Sequence, residues 1–410
     1  MTKKRISKDG RTILLVEPDF PIPAKSKNHR NFLPIGLLKL HDYYQSTGHK
    51  TKIVRGNKNK REVGSRFKPD TIMVTSLFTY WSRHVRDCVH HYRACFPDSE
   101  IIVGGIYASL MPEHCHNYTG CDRVHIGVHD KVEAYTSKHH LNYEILTNPH
   151  PIDYQIIHSS RGCMRKCHFC GAWRIEPRQR FKKSICNEIV SRKLVFYDNN
   201  LLANPNIEAI LDELVHMKQK RKLLACESQS GFDGRVLLDR PHLAMTLKQA
   251  GFIYPRIAWD WEYSEYPFIE KQKEILRNAG YRSKDLYIFM LYNWNISFEE
   301  MEQKRKKCWD WKVQIADCRY RPLNQTFDYY DPKSRQSNKD YFIHPDWMDE
   351  EVKKFRSNVR KQNICVRQDV AFYSRKLEKR QIEKEKARKL KHAGKEIKRI
   401  LDDVWFPGAC

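Results

Sequence analysis

The segment Ser160-Arg-Gly-Cys-Met-Arg-Lys-Cys-His-Phe-Cys-Gly-Ala-Trp173 sets Cys163, Cys167 and Cys170 in a C-x3-C-x2-C spacing, directly after the apolar run Tyr154-Gln-Ile-Ile157. Three thiolates this close in the chain can each take one iron of a cubane iron–sulfur cluster, whose protein ligands are cysteine sulfurs. The fourth iron then has no protein ligand, and an open metal position is where a small molecule can coordinate and react. Zinc is the other metal such a triplet suggests, with Cys186 or His168 as the fourth ligand. Zinc sites more often combine two separated C-x2-C pairs, and the chain has no second pair. His168 directly follows Cys167, which makes joint chelation awkward.

The elements that must position these thiols follow from periodicity. Thr12–Val16, Lys52–Val54, Thr71–Val74 and Ile101–Val103 read as strands, with helices over Ile35–Tyr44 and Val85–Phe96 between them. Such alternation predicts a doubly wound α/β domain over residues 1–145, with ligands expected at the carboxyl ends of its strands, near Gly104 and Gly105. Pro149 and Pro151 mark a connector. Strands are then expected at Tyr154–His158, Lys193–Tyr197, Lys222–Cys226, Pro255–Asp260, Asp285–Tyr292 and Lys312–Asp317. Helices at Ile207–Lys220, Leu237–Ala250, Pro267–Ala279 and Phe298–Trp309 separate them. Six βα units over residues 150–325 fit a partial (β/α)6 barrel, and the cysteine loop follows the first strand, at the end where barrels carry their active sites. Residues 326–410 read as an irregular aromatic segment followed by a basic helical tail, whose Leu377–Ile400 stretch has many opposite charges three or four places apart.

The cysteine triplet, with Phe169 one place before the third cysteine, resembles the signature of the radical SAM superfamily. The resemblance implies a 4Fe–4S cluster whose open iron is chelated by S-adenosylmethionine, and one-electron cleavage that yields a 5'-deoxyadenosyl radical. Residues 1–145 are similar to the cobalamin (B12)-binding-like domain that precedes the barrel in many members. Leu33-Pro-Ile-Gly-Leu-Leu38, Thr75-Ser-Leu77 and Gly104-Gly105-Ile-Tyr-Ala-Ser-Leu-Met-Pro-Glu113 carry that similarity. The family's D-x-H-x-x-G element is missing; His29 stands near its place, and bound cobalamin is left open. At the end of the second strand, Asp198 and Asn199 resemble the D-x-N variant of the family and are implied to accept from the methionine ammonium, although carboxamides and carboxylates also stabilise turns. Glu227 and Gln229, on one face at the end of the third strand, are implied to reach the cofactor or the substrate. Arg256 and Asp260 are placed to face inward. Arg319 and Arg321 face an anionic substrate or pair with acids at the rim, and Cys318 reads as a packed thiol. Methylation or rearrangement of an unidentified substrate is the implied outcome, with flavodoxin or ferredoxin as reductant.

The bulk numbers bound these readings. The chain has 410 residues, 40% of them hydrophobic, 30% charged, and a formal net charge of +25. That excess favours anionic partners, nucleic acid among them, or a solvated lysine-rich surface. Thirteen cysteines, odd in number and mostly scattered, fit a reducing cytoplasm. The opening Met1-Thr-Lys-Lys-Arg5 leads into no apolar signal region, and no eighteen-residue apolar stretch predicts a membrane span. Two further readings stay in view: an RNA-modifying member of the same superfamily, and a zinc-stabilised nucleic-acid-binding protein without catalysis.

Overall fold

The computed structural model describes residues 10–22, 33–136, 139, 141–142, 146 and 152–368. The first unit alternates β1 (Thr12–Glu17), α1 (Ile35–Ser46), β2 (Lys50–Arg55), β3 (Thr71–Ser76), α2 (Ser82–Cys95), β4 (Glu100–Gly105), α3 (Ile106–Leu110), α4 (Pro112–Thr119), β5 (Arg123–Val124) and α5 (Asp130–Thr136). The strands are all parallel, in the order β2-β1-β3-β4-β5. This is a doubly wound order, with its switch point between β1 and β3. The central β1 buries Ile13, Leu14, Leu15 and Val16 in succession because helices cover both faces of the sheet. Helix α2 answers with Val85, Cys88, Val89 and Tyr92, an i, i+3, i+4, i+7 stripe turned to the core. His29 and the 377–400 stretch lie outside the described residues, as do Pro149 and Pro151.

Gly105 shows how tightly the end of this sheet is built. Its φ is +103°, and a Cβ there would stand 2.2 Å from the Ser76 carbonyl oxygen. Gly105→Ala combines a disfavoured backbone angle with a backbone clash, and is expected to cost about 1–3 kcal/mol in urea unfolding.

The second unit contains β6 (Gln155–Ile157), β7 (Ser160–Arg161), α6 (Ala172–Ile175), β8 (Arg180–Phe181), β9 (Lys193–Phe196), α7 (Ile207–Gln219), β10 (Ala225–Ser228), α8 (Gly234–Asp239), α9 (His242–Gln249), β11 (Arg256–Ala258), α10 (Tyr266–Asn278), β12 (Tyr287–Tyr292), α11 (Phe298–Asp310), β13 (Gln314–Arg319) and α12 (Asp349–Gln368). Two parallel three-stranded sheets form, β6-β9-β10 and β11-β12-β13. Isolated parallel bridges, Cys226 with Phe252 and Phe232 with Ile257, span the gap between them. Neighbouring strands thus follow chain order, each crossover carrying helix. One core runs through both sheets, from Leu194 and Phe196 through Phe252 and Ile257 to Ile288 and Ile315.

Two departures from the sequence expectation have a clear local cause. The helix expected over Leu237–Ala250 is two helices, α8 and α9, because Pro241 cannot continue the first. Strand β10 starts at Ala225 and not at Lys222. Arg221 adopts a left-handed φ of +56°, and the Lys222 amide donates back to the Met217 carbonyl at 2.9 Å, so these residues close α7. After β13 the chain is irregular until α12, which packs on α11 and β13. There the Asn363 carboxamide both accepts from the Ile315 amide (2.8 Å) and donates to the Ile315 carbonyl (2.7 Å).

Candidate metal centre

The cysteine loop is an excursion between β7 and β8, which pair antiparallel, Ser160 opposite Phe181 and Arg161 opposite Arg180. That short ribbon ties the two ends of the loop together. The Arg161 guanidinium donates to Glu176 (Nε to Oε2, 2.9 Å), bracing the loop across its base. The Gly162 amide donates to both Glu176 Oε2 and Asn199 Oδ1 at 3.1 Å. Gly162 has φ +79°, and a Cβ would come within 2.8 Å of the Arg178 carbonyl oxygen, so only glycine fits the turn just before Cys163.

Inside the loop the Arg165 amide donates to Cys163 Sγ at 3.3 Å. The Cys170 amide and the Trp173 indole both donate to the Cys167 carbonyl, at 3.1 and 3.0 Å. All three cysteines are half-buried. Burial raises the Cys167 and Cys170 thiols, and negative charge at Asp260 and the neighbouring cysteines adds to the effect. Among the described residues, no three His, Cys, Asp or Glu side chains gather closely enough to hold a metal ion. A single tetrahedral zinc would draw its sulfurs to about 3.8 Å from one another. A cubane distributes its cysteines over separate irons and does not ask for that closeness. Cys186, the fourth ligand that a zinc reading would use, is exposed in a short turn.

The Asp198-Asn-Asn200 run at the end of β9 holds this loop. Asp198 is fully buried, and its carboxylate accepts from both serines at the loop's entry: the Ser159 hydroxyl (2.6 Å), the Ser160 amide (2.6 Å) and the Ser160 hydroxyl (2.7 Å). Asp198 thus turns its Oδ1 to the protein and not to a ligand, while its Oδ2 takes only the Ser159 amide at 3.1 Å; the structure shows it holding the loop's entry, where the sequence suggested contact with an ammonium. Asn199 carries the Gly162 amide. Asn200, which the sequence reading passed over, donates to Asp233 Oδ2 at 3.0 Å, and Asp233 in turn pairs with Arg165 of the loop at 2.8 Å. The side-chain oxygen of Asn200, Oδ1, is buried and has no partner. An orphaned acceptor is the feature an ammonium group would satisfy; the D-x-N spacing that begins at Asp198 ends on this residue, and the hydrogen-bond geometry adds that its oxygen is idle.

Glu227 is paired with Arg256, whose guanidinium also donates to the Ser228 carbonyl at 2.6 Å, and the exposed Gln229 donates to Glu227 at 3.3 Å. The structure therefore brings Glu227, Gln229 and Arg256 together as one ion-paired group. Arg319 and Arg321 both close on Asp328 at 2.6 Å, which settles them as internal pairs. Cys318 has solvent access as a residue, yet burial pushes its thiol up to about 12, so the sulfur end is largely enclosed as the packed-thiol expectation had it. Gly105 is packed against Ser76, so its missing side chain serves the sheet, and Gly104 is at van der Waals distance from His125. The first unit still reaches the cysteine loop: Leu110, at the end of α3, lies 3.3 Å from where a Gly171 Cβ would stand.

Asp260 follows β11 beside this neighbourhood. Burial pushes its pKa up to about 6, opposed by Lys304 and Arg235. Lys304 is fully buried and donates to the Trp259 and Trp261 carbonyls at 2.8 and 2.7 Å, fixing the segment that carries Asp260. Burial lowers the lysine to about 8. Between that value and its ordinary 10.5, an unfolded chain keeps a proton that the folded chain has released. Stability then rises with pH across this window, by roughly 2–4 kcal/mol. Urea midpoints of the native chain and of Lys304→Met at both ends of the window should show that rise in the native chain and not in the variant.

No protein-family model and no curated protein matches the chain. Among solved structures, a cobalamin-binding protein from Desulfitobacterium hafniense DCB-2 overlaps it with 15% sequence identity and a TM-score of 0.21, over 32% of this chain. The chain spans 58% of that protein's length, an overlap too slight to argue from. No helix among the described residues is long and apolar enough to cross a membrane.

Proposed function

We propose that this chain is a radical SAM enzyme. The observation that carries the reading is the cysteine loop itself: three half-buried cysteines within eight residues, on a loop tied off at the end of the first of six parallel strands. Cys163, Cys167 and Cys170 would each hold one iron of a 4Fe–4S cluster, leaving the fourth for S-adenosylmethionine. Bound together, cluster and nucleotide supply one-electron cleavage of the sulfonium and a 5'-deoxyadenosyl radical able to abstract hydrogen from a substrate.

The residues of the chain divide the remaining work. Asp198 and Asn199 fix the loop's entry, Asp233 and Arg165 its middle, and Arg161 with Glu176 its base. The orphaned side-chain oxygen of Asn200 is the acceptor we assign to the methionine ammonium. Phe169, beside the third cysteine, has Trp261 and Trp294 as ring neighbours. The two parallel sheets of the second unit then act as the halves of a partial barrel. The doubly wound unit, which lacks a cobalt-ligating motif, is assigned as a cobalamin-binding-like scaffold. The reductant is a small one-electron carrier of the flavodoxin or ferredoxin kind.

The test is anaerobic reconstitution with iron and sulfide, followed by dithionite and S-adenosylmethionine. The expected result is brown protein that forms 5'-deoxyadenosine, and cobalt analysis of the same sample decides on the corrin. Colourless protein that retains zinc, or full iron content without 5'-deoxyadenosine, overturns the proposal.

A further inference from the structure

A wall of aromatic rings stands over the cysteine loop. Phe169, between the second and third cysteines, has its ring centroid 6.2 Å from Trp261 and 6.1 Å from Trp294. Trp294 lies 4.1 Å from Tyr320, and Tyr320 5.6 Å from Phe342. The rings come from separate segments: the cysteine loop, the chain just after β11, β12 and β13, and the irregular stretch that follows. None of the five is fully buried, and Trp261 is exposed. The rings meet one another tilted or edge-on, with 53–83° between their planes, so each offers its own face; core packing explains a buried ring, whereas half-open rings at the carboxyl ends of parallel strands leave faces on which a planar group can stack.

The rim of this wall is rich in cations, with Asp260, Glu262 and Glu265 set among them beside Trp261. Lys166, Arg174 and Arg178 of the cysteine loop are exposed. The Arg174 guanidinium lies 5.1 Å from the Trp173 ring centroid and is near enough to act on the Tyr320 hydroxyl. Arg235, also exposed, pairs with Asp233 at 3.1 Å, and its charge is felt at Asp260 and Cys167. Asp260, beside Trp261 in the chain, is half-buried and suits the amino edge of a base. Every nucleobase offers a π face, and a groove that joins stacking rings to guanidinium and ammonium groups is how single strands are held. The net charge of +25 acts in the same direction at longer range.

We propose that the substrate is presented by a single-stranded polynucleotide, one base of which stacks on Trp294 and Tyr320 above the cysteine loop while Arg174 and its basic neighbours hold the backbone. This rests on the reading above only for the chemistry done to the base; binding needs no cluster. The probe is a labelled single-stranded RNA of about 15 nucleotides, titrated by fluorescence anisotropy into iron-free and reconstituted full-length protein, with heparin as a ring-free polyanion. Binding is expected in both forms, weakening as salt rises. Trp294→Ala and Tyr320→Ala should each weaken RNA binding about tenfold and leave heparin unchanged, and Trp294→Phe should restore RNA binding. Arg174→Ala should reduce the salt dependence by about one ion. No RNA binding, or RNA binding that the ring substitutions leave untouched, overturns the proposal. Since the iron-free chain is tested alongside, loss of binding is read separately from loss of 5'-deoxyadenosine formation.

Discussion

Alanine at Cys163, Cys167 or Cys170 is expected to abolish 5'-deoxyadenosine formation and to leave reconstituted protein short of a full iron complement. The argument is one of ligand count. Each sulfur in the loop is assigned one iron, and a cubane with two protein ligands has a second vacant corner open to solvent and oxidation. Cys186→Ala is the matched control, since that thiol is exposed in a separate short turn. It should retain iron, absorbance and turnover. Iron and sulfide analysis with the visible spectrum checks the cluster, and chromatography of the nucleoside product checks the chemistry. A triplet variant with undiminished iron and activity removes that cysteine from the ligand set.

Asp198→Ala should be the most damaging substitution away from the sulfurs. It strips the acceptor from the Ser159 and Ser160 amides and hydroxyls, all of them buried. Buried donors left without partners are costly, and the acid is the junction of several; a loss of about 3–5 kcal/mol is expected. Asparagine keeps one acceptor oxygen and should recover part of it. Because those serines open the cysteine loop, iron retention should fall along with stability. Urea unfolding gives the first quantity and iron analysis the second. A variant as stable as the native chain would show that the loop is held by the β7–β8 ribbon alone.

Much of the fold was legible because periodicity reports burial. The strands of the first sheet announced themselves through runs such as Thr12–Val16, and α2 through its four-residue stripe. The short β5 was missed, since Arg123–Val124 is too brief to show a period. The split at Pro241 was readable from proline's missing amide; the late start of β10 was not, because a left-handed Arg221 has no compositional mark. At the candidate site, spacing identified the three cysteines, but it does not reveal which way a carboxylate turns. Asp198 has the chemistry of a ligand-facing group and spends it inward on two serines. Asn200 follows it by two places and alone keeps an idle oxygen. Arg319 and Arg321 looked available for an anion until Asp328, seven to nine residues on, folded back over them.

The contact between α12 and β13 carries a consequence for handling the protein. β13 is the last strand of its sheet, and beyond it the Ile315 amide and carbonyl meet the side chain of Asn363 in place of a further strand. One carboxamide imitates one residue of backbone pairing and then ends the ladder, since no neighbouring peptide follows to extend it. A chain cut before residue 349 would bare that hydrogen-bonding rim, and copies of it would be free to polymerise strand against strand. The terminal helix therefore acts as a stopper on sheet growth, whatever chemistry the loop at the far end performs.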